Sequence, residues 1–258
     1  MSNQIHPTAI IDPTARLGDN VTVGPFTIIG PECVLGDGCV IGDSVAIHKW
    51  TELGPGCRVW HGASIGSDTQ DLKYRGARTR VVIGDKTVVR EFATVTLSTI
   101  EGQVTRIGSN CLLMAYSHVA HECTVGDSVI LANSATLAGH TIIEDFAIIG
   151  GLTPVHQFSR VGCHTIVGGA SAVQKDVLPY TKAFGNPLKM FGLNTLGLSR
   201  RGFTQEQRDM MEKAYRIIFR SNLNTTQALT RLKEEMEMTP EVKHMVEFIQ
   251  ASERGITK

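Results

Sequence analysis

From residue 11 to residue 173, nearly every sixth position carries a large aliphatic side chain. The column Ile11, Leu17, Val23, Ile29, Leu35 and onward to Val173 has 28 positions, of which 25 are Ile, Leu or Val. The whole chain is 42% hydrophobic on a broader residue set, so chance would supply about 12. Two positions earlier runs a second column: Ala15, Val21, Thr27, Cys33, Cys39 and so on to Ser171. Of its 27 positions, 26 are Val, Thr, Cys, Ala or Ser; Arg75 is the exception. Gly follows the large aliphatic at 13 places, among them Gly24, Gly42 and Gly126.

A helix repeats every 3.6 residues and a flat strand every two, so neither holds a six-residue phase over such a length. A coil with three short flat faces does hold it, one hexad to a face and three hexads to a turn. The large aliphatic points into a narrow prism and the small residue fits where space is tightest. Gly is expected to give the corners their backbone freedom. This is the hexapeptide signature of a parallel β-helix, with coils stacked at roughly 4.8 Å. A sandwich would show turn signals every 8–12 residues and no single unbroken phase.

The phase breaks twice. Ser67–Arg80 is polar and puts Asp71 and Ala77 in the aliphatic column, which resumes at Ile83. The segment is expected to be a loop thrown out from one coil, either a solvated excursion or a binder of something polar through Gln70, Asp71, Lys73 and Tyr74. A short second break lies around Ile100–Val104. After about Val177 the hexads stop, and Pro179, Gly185, Asn186 and Pro187 mark a turn region. Thr204 with Gln207 reads as a capping box opening a helix whose apolar face is Met211, Ala214, Ile217 and Ile218. A second helix is expected from about Thr225 to Met238. A third has Thr239 as N-cap and Pro240 at its first position. The chain thus divides into a β-helix over 1–186, with its loop at 67–80, and a C-terminal helical domain over 187–258 that caps the coil.

Charge narrows the function. Lys plus Arg and Asp plus Glu each number 25, which leaves no nucleic-acid footprint. No apolar run is long enough to span a membrane, and the N-terminus has no leader-like stretch, so a cytoplasmic protein is expected. Five of the six cysteines (Cys33, Cys39, Cys57, Cys111 and Cys123) fall in the small-residue column and are expected core fillers. Cys163 lies outside it and has no CxxC partner. Lys213, Arg216 and Arg220 are three and four apart and line one basic stripe, either a solvated face or a binding surface.

Histidines carry the candidate chemistry. His118 and His121 share one coil, and His140 and His156 follow in later ones. Adding 18 to 121 gives Gly139, which sets that backbone one coil above His121. Subtracting 18 from 140 gives Glu122, so His140 and Glu122 occupy equivalent places on neighbouring coils. A His beside a carboxylate is held in one tautomer and suits a general base, and a nearby Gly N–H can steady an oxyanion. Paired His could equally be zinc ligands, or polar rungs on an exposed face.

The segments Gln70–Tyr74, Leu112–Glu122, Leu137–His140, Val155–Phe158, Gly185–Pro187, Arg200–Phe203, 214–220 and Ser252–Ile256 resemble the UDP-N-acetylglucosamine acyltransferases that begin lipid A synthesis. The likeness covers nearly the full length. It implies a left-handed winding, against the usual crossover rule, and a cytoplasmic homotrimer with sites between subunits and the 67–80 loop reaching a neighbour. It implies transfer of a 3-hydroxyacyl chain from acyl carrier protein, without a cofactor or metal. His121 would be the base, Glu122 its orienting partner and Gly139 N–H the oxyanion donor. Gln70, Asp71, Lys73, His118 and Gln157 would contact the sugar and diphosphate, and His140 and His156 would line the cleft. Asn194, Arg200 and Arg201 would hold the nucleotide, and Gly169 would leave the acyl groove open for a long chain. The stripe Lys213, Arg216 and Arg220 would meet the acidic carrier protein. Two departures bear on the acceptor. Thr96-Leu97-Ser98-Thr99 stands where the family usually shows His-Arg-Gly-Thr, and Leu196 stands for a Glu. They keep a 3-amino sugar open beside the 3-hydroxyl. A zinc-binding, carbonic-anhydrase-like hexapeptide protein and a non-catalytic scaffold are the readings from other classes.

Overall fold

In a computed structural model, which describes residues 2–258, the columns become the faces of a stacked coil. Strands of mostly two residues recur every six positions, and strands one coil apart pair in parallel. They build three sheets of eleven, eight and eight strands. The aliphatic column fills the prism: Ile29, Leu35, Ile41, Ile47, Leu131 and Leu137 are at most 1% exposed. The fold is an all-β left-handed parallel β-helix with a C-terminal group of helices.

The small column does more than save space. Thr27 Oγ1 donates to Gly42 O at 2.6 Å, and the Cys33 and Cys123 thiols donate to His48 O at 2.8 Å and Ala138 O at 3.2 Å. A buried donor left unpaired costs about 1–3 kcal/mol, so these Thr and Cys side chains are stable here because a carbonyl of the adjacent coil receives them. All five cysteines of the column are buried free thiols.

Apart from Gly66, which does take a positive φ of 80°, the glycines after the aliphatic column have a different role from the expected one. Gly24 and Gly126 do not adopt the left-handed region; a Cβ on Gly24 would come within 2.7 Å of Gly42 C, and one on Gly126 within 2.8 Å of Asp145 N. They are needed where adjacent coils touch. The left-handed corner falls two residues later, on side chains as different as Asn20, Phe26, Glu32 and Ser44, with φ between 54° and 59°.

Register explains why the columns survive both breaks. Val125 pairs with Ile143, an offset of 18, but Leu53 pairs with Ile83, an offset of 30, and Ile83 with Ile107, an offset of 24. One enlarged coil thus carries two extra hexads and the next carries one, so every aliphatic still points inward.

The coil ends in a hairpin of Thr181–Phe184 and Lys189–Leu193, antiparallel, which extends the largest sheet. The expected boundary at 186/187 falls in its turn. Four helices follow: α1 (Thr195–Arg200), α2 (Gln205–Arg220), α3 (Thr225–Glu235) and α4 (Pro240–Gln250). The capping box at Thr204 forms, and Met211, Ala214, Ile217 and Ile218 are buried. Helix α3 stops short of the expected Met238, because Met236 turns extended and buries its side chain. The tail returns to the last coil, where Thr257 N donates to Asp176 O at 2.7 Å and Ser252 Oγ to Asp176 Oδ2 at 2.7 Å.

Candidate active site

Left-handed corners set the site. Glu122 (φ 52°) and His140 (φ 61°) occupy the same corner on successive coils, and His140 N donates to His121 O at 3.0 Å. The carboxylate of Glu122 therefore lies between two imidazoles. His121 Nδ1 hydrogen-bonds Glu122 Oε2, and His140 Nε2 is 3.7 Å from the same oxygen. Glu122 Oε1 accepts from the backbone N–H of Thr99 and, at 3.1 Å, of Ile100. Those donors belong to the second enlarged coil, so its loop and the His121 ring are fixed by one side chain, only 6% exposed. With Nδ1 engaged by a carboxylate, the ring proton is assigned to that nitrogen and Nε2 presents a lone pair to the cleft.

Gly139 stands against that ring. A Cβ there would lie 2.6 Å from His121 Nε2 and 2.9 Å from Nδ1, so any larger residue would displace the imidazole. Among the described residues, no acceptor takes the Gly139 N–H. An unpartnered donor beside an imidazole lone pair is the arrangement that a proton acceptor and an oxyanion site require.

Around this corner lies a cleft of about 680 Å³. Gln70, Asp71 and Lys73 reach it from the inserted loop, which lies over its own chain's corner; His118 and Gln157 line its other sides. A hydrogen bond from Lys73 N–H, 2.9 Å long, holds the Asp71 carboxyl below the usual carboxylate range. Burial, and then the neighbouring His121, push the His118 imidazole below its ordinary value. Its Nδ1 is 2.7 Å from Thr94 Oγ1. His140 stacks on Phe158 with centroids 4.6 Å apart. His156 is exposed beside the cleft, its Nδ1 3.0 Å from Gln157 O.

Thr96, noted in the sequence only as a departure, lines the cleft as well. It is 3% exposed, and its hydroxyl has no partner among the described residues. A buried hydroxyl without a partner at a cleft wall marks a place for a polar ligand group. Phe158 and Leu72 also line the cleft, without a sequence signal beyond their places in the quoted segments. Leu97 and Ser98 are fully buried and contribute packing instead. His121, Glu122 and His140 lie close enough together to hold a metal ion.

Other expected residues lie apart from this cleft within the chain. Asn194 is buried and caps α1: its Oδ1 accepts from Gly197 N at 3.2 Å and its amide donates to His164 O at 2.8 Å. Its side-chain groups are thus engaged inside the chain. Arg201 lies over the Phe146 ring at 4.3 Å, and Arg200 is exposed at the end of α1. Leu196 is 63% exposed. Gly169 lies on the surface over Gly151, whose carbonyl oxygen a Cβ would approach to 3.3 Å. Lys213, Arg216 and Arg220 line a second cleft of about 580 Å³, joined by Arg231 of α3. Arg216 is paired with Glu212 at 3.1 Å and Arg231 with Glu235 at 2.9 Å.

Comparison with known proteins agrees along the whole chain. The bacterial transferase hexapeptide family matches residues 14–49, 32–67 and 105–139, and the second domain of UDP N-acetylglucosamine O-acyltransferase matches 176–257. The acyl-[acyl-carrier-protein]–UDP-N-acetylglucosamine O-acyltransferase of Gloeothece citriformis is 49% identical over 98% of this chain and 91% of its own. That of Thermodesulfovibrio yellowstonii is 44% identical over 99% and 100%. The crystal structure of UDP-N-acetylglucosamine O-acyltransferase from Moraxella catarrhalis superimposes with a TM-score of 0.95 at 40% identity, over 98% of this chain and 99% of that one.

Proposed function

Since the chain belongs to the UDP-N-acetylglucosamine O-acyltransferase family, we propose that it transfers an acyl chain from acyl carrier protein to the 3-hydroxyl of UDP-N-acetylglucosamine, the first step of lipid A biosynthesis. The observation that carries this reading is the corner where Glu122 holds His121 Nδ1 and Gly139 N–H stays free beside the ring.

His121 Nε2 takes the proton of the 3-hydroxyl as its oxygen attacks the thioester carbonyl carbon. Charge gathers on the carbonyl oxygen, where the Gly139 N–H meets it. The tetrahedral intermediate expels the carrier's thiolate, and the imidazolium returns the proton to that sulfur. Glu122 fixes the ring and stabilises its charged form. Positioned base and oxyanion donor together account for factors of about 10²–10⁴ and 10²–10³. Gln70, Asp71, Lys73, His118 and Gln157 orient the sugar and its diphosphate, and the Thr96 hydroxyl supplies a further polar contact. His140 and His156 complete the wall. We place the active form as a homotrimer in the cytoplasm, with Arg200 and Arg201 serving a nucleotide at a subunit boundary and Asn194 supporting that place as the cap of α1. Gly169 leaves the acyl groove open, and Lys213, Arg216 and Arg220 receive the acidic carrier protein. Among the described residues, no helix is long and apolar enough to cross a membrane.

The test is incubation with 3-hydroxyacyl carrier proteins of several lengths and UDP-N-acetylglucosamine, run beside its 3-amino analogue. An ester on the 3-oxygen, identified by mass spectrometry, is expected. Amide formation on the analogue alone would move the reading to a 3-amino acceptor. No product from either would defeat it.

A further inference from the structure

A second cluster of reactive side chains lies where the coil meets the C-terminal helices. Glu144 comes from one coil, Cys163 from the next and His244 from α4. His244 Nε2 is 2.8 Å from Glu144 Oε2, and Cys163 N donates to the same oxygen at 2.9 Å. One oxygen, one sulfur and one nitrogen donor from these three residues all lie within 4.8 Å of one another. None of the three lines the His121 cleft.

Cys163 is the one cysteine outside the small column, packed at the edge of the core. The other five are buried in the small column and donate their S–H to a carbonyl of the neighbouring coil. Cys163 is half-buried, outside the column, and turned to an imidazole and a carboxylate. The surroundings fit a metal centre, whose ligands are held by outer partners. Arg160 Nη2 is 3.6 Å from Glu144 Oε1, the oxygen not facing His244. The buried Tyr180 ring stands edge-on to the His244 imidazole, with centroids 6.1 Å apart. The His244 side chain is 36% exposed, which gives an ion a way in and leaves a fourth position for water.

We propose that Glu144, Cys163 and His244 form a binding site for a divalent transition metal, zinc foremost, that ties α4 to the coil. Thiolate, imidazole and carboxylate are the donors zinc takes, in tetrahedral sites with bonds of about 2.0–2.3 Å. Donors so held are roughly 3.5 Å apart, within small side-chain adjustments of the present cluster. Binding displaces the thiol proton and any proton on the imidazole, so affinity rises with pH. The site is independent of acyl transfer; its role is to fasten the helical cap, whose contacts with the coil are otherwise non-covalent.

The test uses the full-length protein, stripped with a chelator and titrated with Co²⁺. A thiolate-to-cobalt charge-transfer band in the near ultraviolet is expected, saturating at one ion per chain. With zinc in place of cobalt, the thermal midpoint should rise by roughly 5–10 °C at a hundredfold excess over the dissociation constant. Cys163→Ser and His244→Gln, which keep side-chain size, should abolish the band and the shift, while His121→Ala keeps both. Absence of band and shift in the parent overturns the proposal. So does metal binding that survives Cys163→Ser and is lost in His121→Ala, which would put the ion in the acyl-transfer cleft.

Discussion

The regular three-hexad coils and the two enlarged coils bury the same columns, yet they contribute opposite things to the cleft. The regular coils supply His121, Glu122, Gly139 and His140, whose spacing is fixed by the stack and by left-handed corners. The enlarged coils supply Asp71 and Lys73 on one loop, and the Thr99 and Ile100 N–H groups on the other. In the proposed reaction, proton transfer sits on rigid scaffold, whereas recognition of a charged acceptor sits on loops the scaffold can vary. Prism and cleft are therefore separable by mutation.

Leu131→Ala should damage the prism alone. Leu131 is fully buried, and such a truncation costs about 2–5 kcal/mol. Calorimetry should show the lowered midpoint, and turnover per folded molecule should stay at the parental value. Gly139→Ala should do the reverse. Its methyl would press on His121 Nε2, which is 2.6 Å from the Cβ position, so kcat should fall about 10²-fold or more in a protein of nearly parental melting temperature. Both losses appearing together in either variant would mean the two regions are coupled.

Charge reversal on the stripe, Lys213→Glu with Arg216→Glu, leaves both prism and cleft untouched. It should raise KM for the acylated carrier protein by about tenfold through lost electrostatic attraction, with kcat unchanged and the difference shrinking at high salt. A last effect concerns His164, at a left-handed corner of the coil. Burial, and then Arg201, push His164 down from 6.5 to about 4. Between those values the unfolded chain binds the proton that the folded one refuses. Stability should therefore rise with pH from 4 to 6.5 and gain nothing from this group beyond that window. Urea midpoints across it should show the slope in the parent and a flatter line in His164→Phe.

What the sequence reveals follows the ruler. His121, Glu122, Gly139 and His140 are readable because a step of three hexads is a fixed distance wherever coils are uniform. The role of the glycines is not, because close approach between coils, unlike a left-handed φ, has no signature of its own. The φ of Phe26 or Glu32 is imposed by the stack, against ordinary residue preference. The hairpin over 181–193 and the short helix α1 escape a sequence reading because they are too brief to display a period. Thr96 and the pairing of Glu122 with Thr99 depend on how an enlarged coil re-enters the stack. The Glu144–Cys163–His244 cluster depends on the helical cap folding back onto a coil far behind it in the chain, which no local pattern encodes.

The most direct measurement is single-turnover acyl transfer by the parent and by His121→Ala, with circular dichroism and melting to show an intact coil in both. A transfer rate lower by about 10²–10⁴ in a fully folded variant is the expected result. A rate within a few-fold of the parent would contradict the account, because the corner that Glu122, His121 and Gly139 build would then not be where the proton moves.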